Sequence, residues 1–431
     1  ESMTTQASTQ LGNPLALIIA GGIIILLGLV PGMPSFIFLT LGIAAGLAGY
    51  FLSKSADKKI AEAANDASET IKENDVNKEE LNWDDVDQVD LVGLDIGYGL
   101  IPLVNPETGG QLLPRVKGVR KKLSAELGFL VQPIRIRDNL DLEPDVYNIV
   151  MNGVIRGKGE IKIGQELAIN PGQVHGSLEG TPTKEPAFGL DAVWIDPAQR
   201  DYARTLGYTV VDPATAIATH LNTLLRNNAS ELISHDETQQ LLDKVAERSP
   251  KLVEDLVPEK LSLATITKVL QNILDESVSV RDMRTILEVL STESSRTQDV
   301  EELTAAVRPK LGRMIVQGLV DVDDNLPVMT LNPALEQMLN NILQQSGSSQ
   351  GLVIEPKLAE SLISALAKNT REIEDQGSAA VLVVSPTLRP WLSKFIRHRL
   401  SDLTVLSYSE IPDDQAVDVV ATIDVDPSNE Q

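Results

Sequence analysis

Metal or acid–base chemistry in this chain would have to start from its four histidines, His175, His220, His235 and His398. No two of them stand at the i, i+4 spacing that puts two ligands on one helix face, and spacing identifies no carboxylate partner for any of them. The chain has no Cys, which excludes thiol nucleophiles, zinc–thiolate sites and disulfides. The run Gly153-Val154-Ile155-Arg156-Gly157-Lys158 looks like a phosphate loop. It has one residue too few between its glycines, however, and Gly159 stands where Ser or Thr would hold the metal, so it reads as a β-turn. There is no nucleophile elbow and no dinucleotide fingerprint, and the 61 Asp and Glu are scattered. The expectation is a binding protein, not an enzyme, with no catalytic residues, metal or cofactor.

One side chain asks for a partner. Trp83 lies in Glu79-Glu80-Leu81-Asn82-Trp83-Asp84-Asp85, within a stretch (54–90) that holds 5 Lys against 12 Asp or Glu. A large apolar ring on a self-repelling tether is exposed to water unless it docks. Two readings stand: Trp83 packs on its own domain, or it anchors a neighbour with the carboxylates fixing the pose.

The elements around these residues divide the chain. Its 431 residues exceed one ordinary domain, and its net charge of −24 argues against nucleic-acid binding and against broad adhesion to an anionic bilayer. From Ser2 to Ser53 there is no charged residue and no His. Two apolar runs, 15–30 and 36–52, flank Pro31-Gly32-Met33-Pro34, which reads as a transmembrane helical hairpin over 11–53. Lys54, Lys58 and Lys59 follow at once and place that end in the cytoplasm by the positive-inside rule. The hairpin has no ionisable group with which to relay protons.

Beyond residue 90 the pattern is α+β. Strands are expected over 89–103, 131–137, 147–155, 166–170, 188–195 and 208–211, and a basic helix over 115–127 ending at Gly128. Asp196-Pro197 and Asp212-Pro213 are N-caps with Pro at the first helical position. On the second of these helices Thr215, Thr219 and Asn222 form a polar stripe. Helical periodicity follows over 237–247, 262–276, 279–290, 300–317 and 335–343. The last section is α/β, with strands over 379–385, 404–408 and 417–423 and a helix over 386–400. Its basic residues, Arg389, Lys394, Arg397, His398 and Arg399, read as an ion-paired face.

The strings LAINPGQ (167–173), EPAFGLDAVWI (185–195), GYTVVDPATAIATHLN (207–222), LLDKV (241–245), LVPEKLSLATITKVLQNIL (256–274) and VSVRDMRTILEVL (278–290) resemble the FlhA family of flagellar type III export-gate proteins. The resemblance covers nearly the whole chain and corresponds to the C-terminal portion of that family. It implies an inner-membrane protein whose hairpin and linker carry four cytoplasmic subdomains, assembled as a ring of nine. These are a thioredoxin-like first subdomain (91–163 and 213–232), an inserted ferredoxin-like second (164–212), a helical third (233–320) and a thioredoxin-like α/β fourth (321–431).

It implies as partners the flagellar export chaperones loaded with late substrates, and other membrane and cytoplasmic subunits of the export apparatus. The chaperone site maps onto Glu185, Phe188 and Thr219, with Glu185 standing where relatives usually carry the shorter Asp. The linker contact with a neighbouring subunit maps onto Glu80, Trp83 and Asp85. Read from its strand alone, Phe188 is a core aromatic; the resemblance makes it a surface contact. The alternative is the paralogous export gate of a virulence injectisome.

Overall fold

The computed structural model describes residues 89–425 except 106, 108, 322 and 347–353, together with residues 22, 36, 40, 41, 43, 44 and 47. Those seven are helical, and the Thr40 hydroxyl donates to the Phe36 carbonyl at 3.0 Å. Among the described residues no helix is long and apolar enough to cross a membrane. The hairpin expected over 11–53 falls largely outside them. The linker residues 54–88, with Glu80, Trp83 and Asp85, lie wholly outside them.

From Val89 onward three four-stranded sheets succeed one another. The first has the order β2-β1-β3-β4, from Arg135–Asp138, Val92–Ile96, Val146–Met151 and Val154–Glu160. β1 runs parallel to β2 and antiparallel to β3, and β3 and β4 form a hairpin. Two expected strands are therefore corrected. The strand over 89–103 stops at Ile96, because Gly97 and Gly99 bring the chain against the carbonyls of Glu143 and Pro144, where a Cβ would collide. The strand over 147–155 is two strands, folded at Asn152 and Gly153. Both take positive φ, as a two-residue hairpin turn requires. Only that dipeptide is a turn; Gly157 and Gly159 of the phosphate-loop look-alike lie within β4.

Helix α1 (Leu112–Leu127) ends at Gly128 in the left-handed conformation. Two of its basic residues are committed: Arg115 pairs with Asp212 at 2.6 Å, and Arg120 donates to the Val131 carbonyl at 2.7 Å.

The second sheet has the order β6-β7-β5-β8 and is antiparallel throughout. It is formed by Thr181–Lys184, Asp191–Ile195, Glu166–Ile169 and Thr209–Val211, with the short helix α2 (Arg200–Thr205) between β7 and β8. All of it lies in sequence between β4 and helix α3 (Pro213–Asn227), whose Ile217, Leu221 and Leu225 are buried in one core with Leu94, Ile149 and Met151 of the first sheet. Leu167, Ala192 and Trp194 of the second sheet join that core, so the two sheets share an apolar joint. Asp212 caps α3 through the Thr215 amide at 2.9 Å and also accepts the Thr215 hydroxyl at 2.8 Å.

Helices α4 (His235–Ala246), α5 (Leu263–Asp275), α6 (Met283–Glu293), α7 (Val300–Val307) and α8 (Gly312–Gln317) follow. The single helix expected over 300–317 is broken at residues 308–311, where Pro309 cannot donate to the α-helical ladder.

The third sheet, order β11-β10-β9-β12, is wholly parallel. It is formed by Thr404–Ser407, Val381–Val384, Leu326–Leu331 and Val417–Ile423. Helices α9 (Pro333–Ser346), α10 (Pro356–Glu374) and α11 (Arg389–Ile396) accompany it. β10 is buried along its whole length, as its unbroken apolar run predicts for a central parallel strand.

Three of the five basic residues of the α11 segment are ion-paired. Arg389 pairs with Glu276 and Glu410, Lys394 with Glu301, and Arg397 with Asp275 and Glu276.

Candidate functional site

The segment 185–190 is a turn, not the start of a strand. β6 and β7 pair as a hairpin whose ends are held by the Lys184–Asp191 ion pair at 2.9 Å. The Glu185 amide donates to the Leu190 carbonyl at 2.8 Å, and Gly189 closes the turn at φ +70°. The Glu185 carboxylate folds back over its own turn. One oxygen accepts the Ala187 amide at 2.9 Å and the other accepts the Phe188 amide at 2.7 Å.

This lock explains how a Glu serves here. Its length lets each oxygen meet a different amide, and the residue is almost wholly buried, at 2% exposure. With the turn fixed, Phe188 stands in solvent at 66% exposure, and Leu190 beside it is 41% exposed. The core reading of Phe188 is thereby excluded.

Thr219 lies on α3 and is half-buried. Of the polar stripe on that helix, Thr215 is committed to the Asp212 cap. Directly after Thr219, His220 is buried, and its Nδ1 is hydrogen-bonded to the Tyr147 hydroxyl at 2.8 Å. Burial holds the imidazole below the ordinary histidine range, with the Glu185 charge opposing. Burial, with Glu185 adding to it, raises the Tyr147 phenol far above its usual value. Among the described residues no group of three or more His, Asp or Glu is arranged to hold a metal.

A second concave surface lies between the end of α1 and helices α4 and α6. Ser124, Ala125, Phe129, Leu130 and Leu241 line an apolar hollow of about 610 Å³, and Leu130 is 61% exposed. Beside it is a hollow of about 410 Å³ lined by Lys244, Arg248, Arg281 and Arg284 with Glu247 and Asp282; the two share Gly128, Leu241, Lys244 and Arg281. Gly128 permits the junction, because a Cβ there would lie 2.4 Å from the Arg281 amide nitrogen. Sequence spacing gave no sign of this groove, since its walls come from three helices far apart in the chain.

A family model, the FHIPEP family, matches residues 1–416. This chain belongs to the FHIPEP family. The flagellar biosynthesis protein FlhA of Escherichia coli is 43% identical to it over 416 residues, which is 95% of this chain and 58% of that relative. This FHIPEP chain thus spans a little under three fifths of the length of that curated relative.

Among solved structures, Chlamydia pneumoniae CdsV in its complex with CdsO has a TM-score of 0.68 at 23% identity, covering 79% of this chain and 99% of CdsV. The nonameric SctV-C of EPEC has a TM-score of 0.63 at 22% identity, covering 78% and 99%. These two show that the FHIPEP chain shares their mixed α/β fold.

Proposed function

We propose that this FHIPEP chain is an export-gate subunit of the flagellar type III protein export apparatus, and that its surface around Phe188 docks export chaperones carrying late substrates. The observation that carries the reading is the turn 185–190. A buried carboxylate is used to hold one large aromatic ring out in water, on the sheet that packs against the helix bearing Thr219. Identity of 43% to a flagellar relative, against 22–23% to the two solved structures, favours the flagellar over the injectisome version.

The chain is anchored by the uncharged hairpin 11–53 in the inner membrane, with the folded region in the cytoplasm. It assembles as a ring of nine, as SctV-C does, and meets other subunits of the apparatus. Within the ring, Glu80, Trp83 and Asp85 of one copy dock on the neighbouring copy. The groove of Leu130, Leu241, Arg248 and Arg281 offers what such a segment needs, an apolar seat beside cations.

The test is binding of a purified flagellar chaperone–substrate complex to the full chain in detergent. Phe188→Ala is expected to weaken it at least tenfold, the loss typical of a central aromatic contact, with the thermal midpoint unchanged. Unchanged affinity refutes the docking reading.

A further inference from the structure

Buried polar groups beneath a docking surface need a reason, because each has to be satisfied at a cost that an apolar residue would not incur. Tyr147 is wholly inaccessible and His220 is 7% exposed, yet they form a hydrogen-bonded pair at 2.8 Å, with the rings edge-on at 72° and centroids 5.8 Å apart. The sequence accommodates the pair with two glycines inside a strand, where glycine weakens the sheet and marks a close approach. A Cβ on Gly157 would stand 2.9 Å from His220 Cε1 and Nε2, and one on Gly159 would stand 2.6 Å from the Tyr147 ring and hydroxyl. Gly157 and Gly159 thus make room for these two side chains, with Leu224 also 2.8 Å from a Cβ on Gly157; the other glycine of the phosphate-loop look-alike, Gly153, is set by the hairpin turn.

The pair joins β3 to α3 one residue from Thr219. It also lies within the electrostatic reach of Glu185, whose carboxylate has no Lys or Arg partner among the described residues and rests on two turn amides. The sheet that carries the aromatic turn packs Leu167, Ala192 and Trp194 into the same core as Ile217 and Leu221 of the threonine helix, so the placement of that helix and of the turn's sheet is set at one joint.

We infer that Tyr147 and His220, seated by Gly157 and Gly159, are positioning residues of the docking site: their hydrogen bond sets α3 and the 185–190 turn in the mutual placement that cargo reads. The inference rests on the docking reading above and deepens it.

The experiment uses the full chain in detergent with a purified flagellar chaperone–substrate complex as probe. It is read alongside hydrogen–deuterium exchange of the 185–189 segment. Tyr147→Phe removes one hydroxyl and keeps the ring. Because a net hydrogen bond corresponds to roughly a three- to tenfold effect, affinity is expected to fall by about that factor, and exchange at the Ala187 and Phe188 amides to quicken. His220→Leu is expected to do the same. His220→Asn, which keeps a hydrogen-bonding atom near the place of Nδ1, is expected to restore most of the binding.

Leu362→Ala, in the separate core of the third sheet, is the control for general destabilisation and is expected to lower the thermal midpoint while leaving docking unchanged. If Phe188→Ala loses binding but Tyr147→Phe and His220→Leu bind as the parent does, the positioning role is overturned and the docking reading survives. If Phe188→Ala binds normally, the docking reading falls. The positioning role is then decided by exchange alone, and unchanged protection at 185–189 in Tyr147→Phe overturns it.

Discussion

Arg308 offers the sharpest test of how the last two parts of the fold hold together. It follows α7, is 1% exposed, and bridges two carboxylates at 2.8 Å each, Glu276 at the end of α5 and Glu410 after β11. Arg389 of α11 also reaches both carboxylates, and burial pushes its guanidinium down to about 10, with Glu410 opposing. Gly312 permits this junction, because a Cβ there would lie 2.1 Å from the Glu410 carbonyl oxygen.

Arg308→Met leaves the buried Glu410 with Arg389 alone, at 3.5 Å, while Glu276 keeps Arg389 and Arg397. Breaking a buried pair in this way costs about 3–5 kcal/mol. The charge, not the lost packing, is the main source of the cost, so Arg308→Met/Glu410→Leu should recover more than half of it. Chemical unfolding followed together with limited proteolysis measures both, since proteolysis shows whether the region from β9 onward becomes separately cleavable in Arg308→Met. A double variant no more stable than Arg308→Met would refute the electrostatic account.

Two other predictions follow from particular groups. Because burial holds His220 below its ordinary value of about 6.5, acidification through that value protonates the unfolded chain before the folded one. Stability should therefore fall as pH drops from about 6.5 toward the folded value; thermal midpoints between pH 7.5 and 5.5 should fall more steeply in the parent than in His220→Asn, and equal slopes would contradict this. Trp83→Ala should reduce ring assembly of the full chain, as should Arg281→Glu in the proposed groove; rings of normal abundance by electron microscopy in both variants would remove the linker contact.

Much of the fold is legible in one dimension where local chemistry decides it. Asp212-Pro213 announces α3 because capping and φ restriction act within one turn, and the buried run of β10 announces a central parallel strand. Legibility fails where distant segments decide. Residues 188–190 of the turn read as the start of a strand because Phe188 and Leu190 are apolar. The segment is a turn because the Glu185 carboxylate satisfies two amides locally, an option that residue type alone does not reveal. β6, with Pro182 and two threonines, has no apolar alternation to announce a strand; its place is given by β7.

The same contrast bears on the site itself. Its three members, Glu185, Phe188 and Thr219, come from the family resemblance, but the structure changes their standing. Glu185 is no exposed contact: at 2% exposure it acts through the backbone it holds, whereas Phe188 is free to meet a partner. Substituting Glu185 therefore changes the shape of the turn before it changes any charge seen by a ligand, and loss of docking in such a variant is, on this geometry, a loss of Phe188 placement. On the proposed docking reading, the energetic centre of the surface is one ring. The specificity then lies in the residues that set its position: the carboxylate under the turn, and the Tyr147–His220 pair behind the helix.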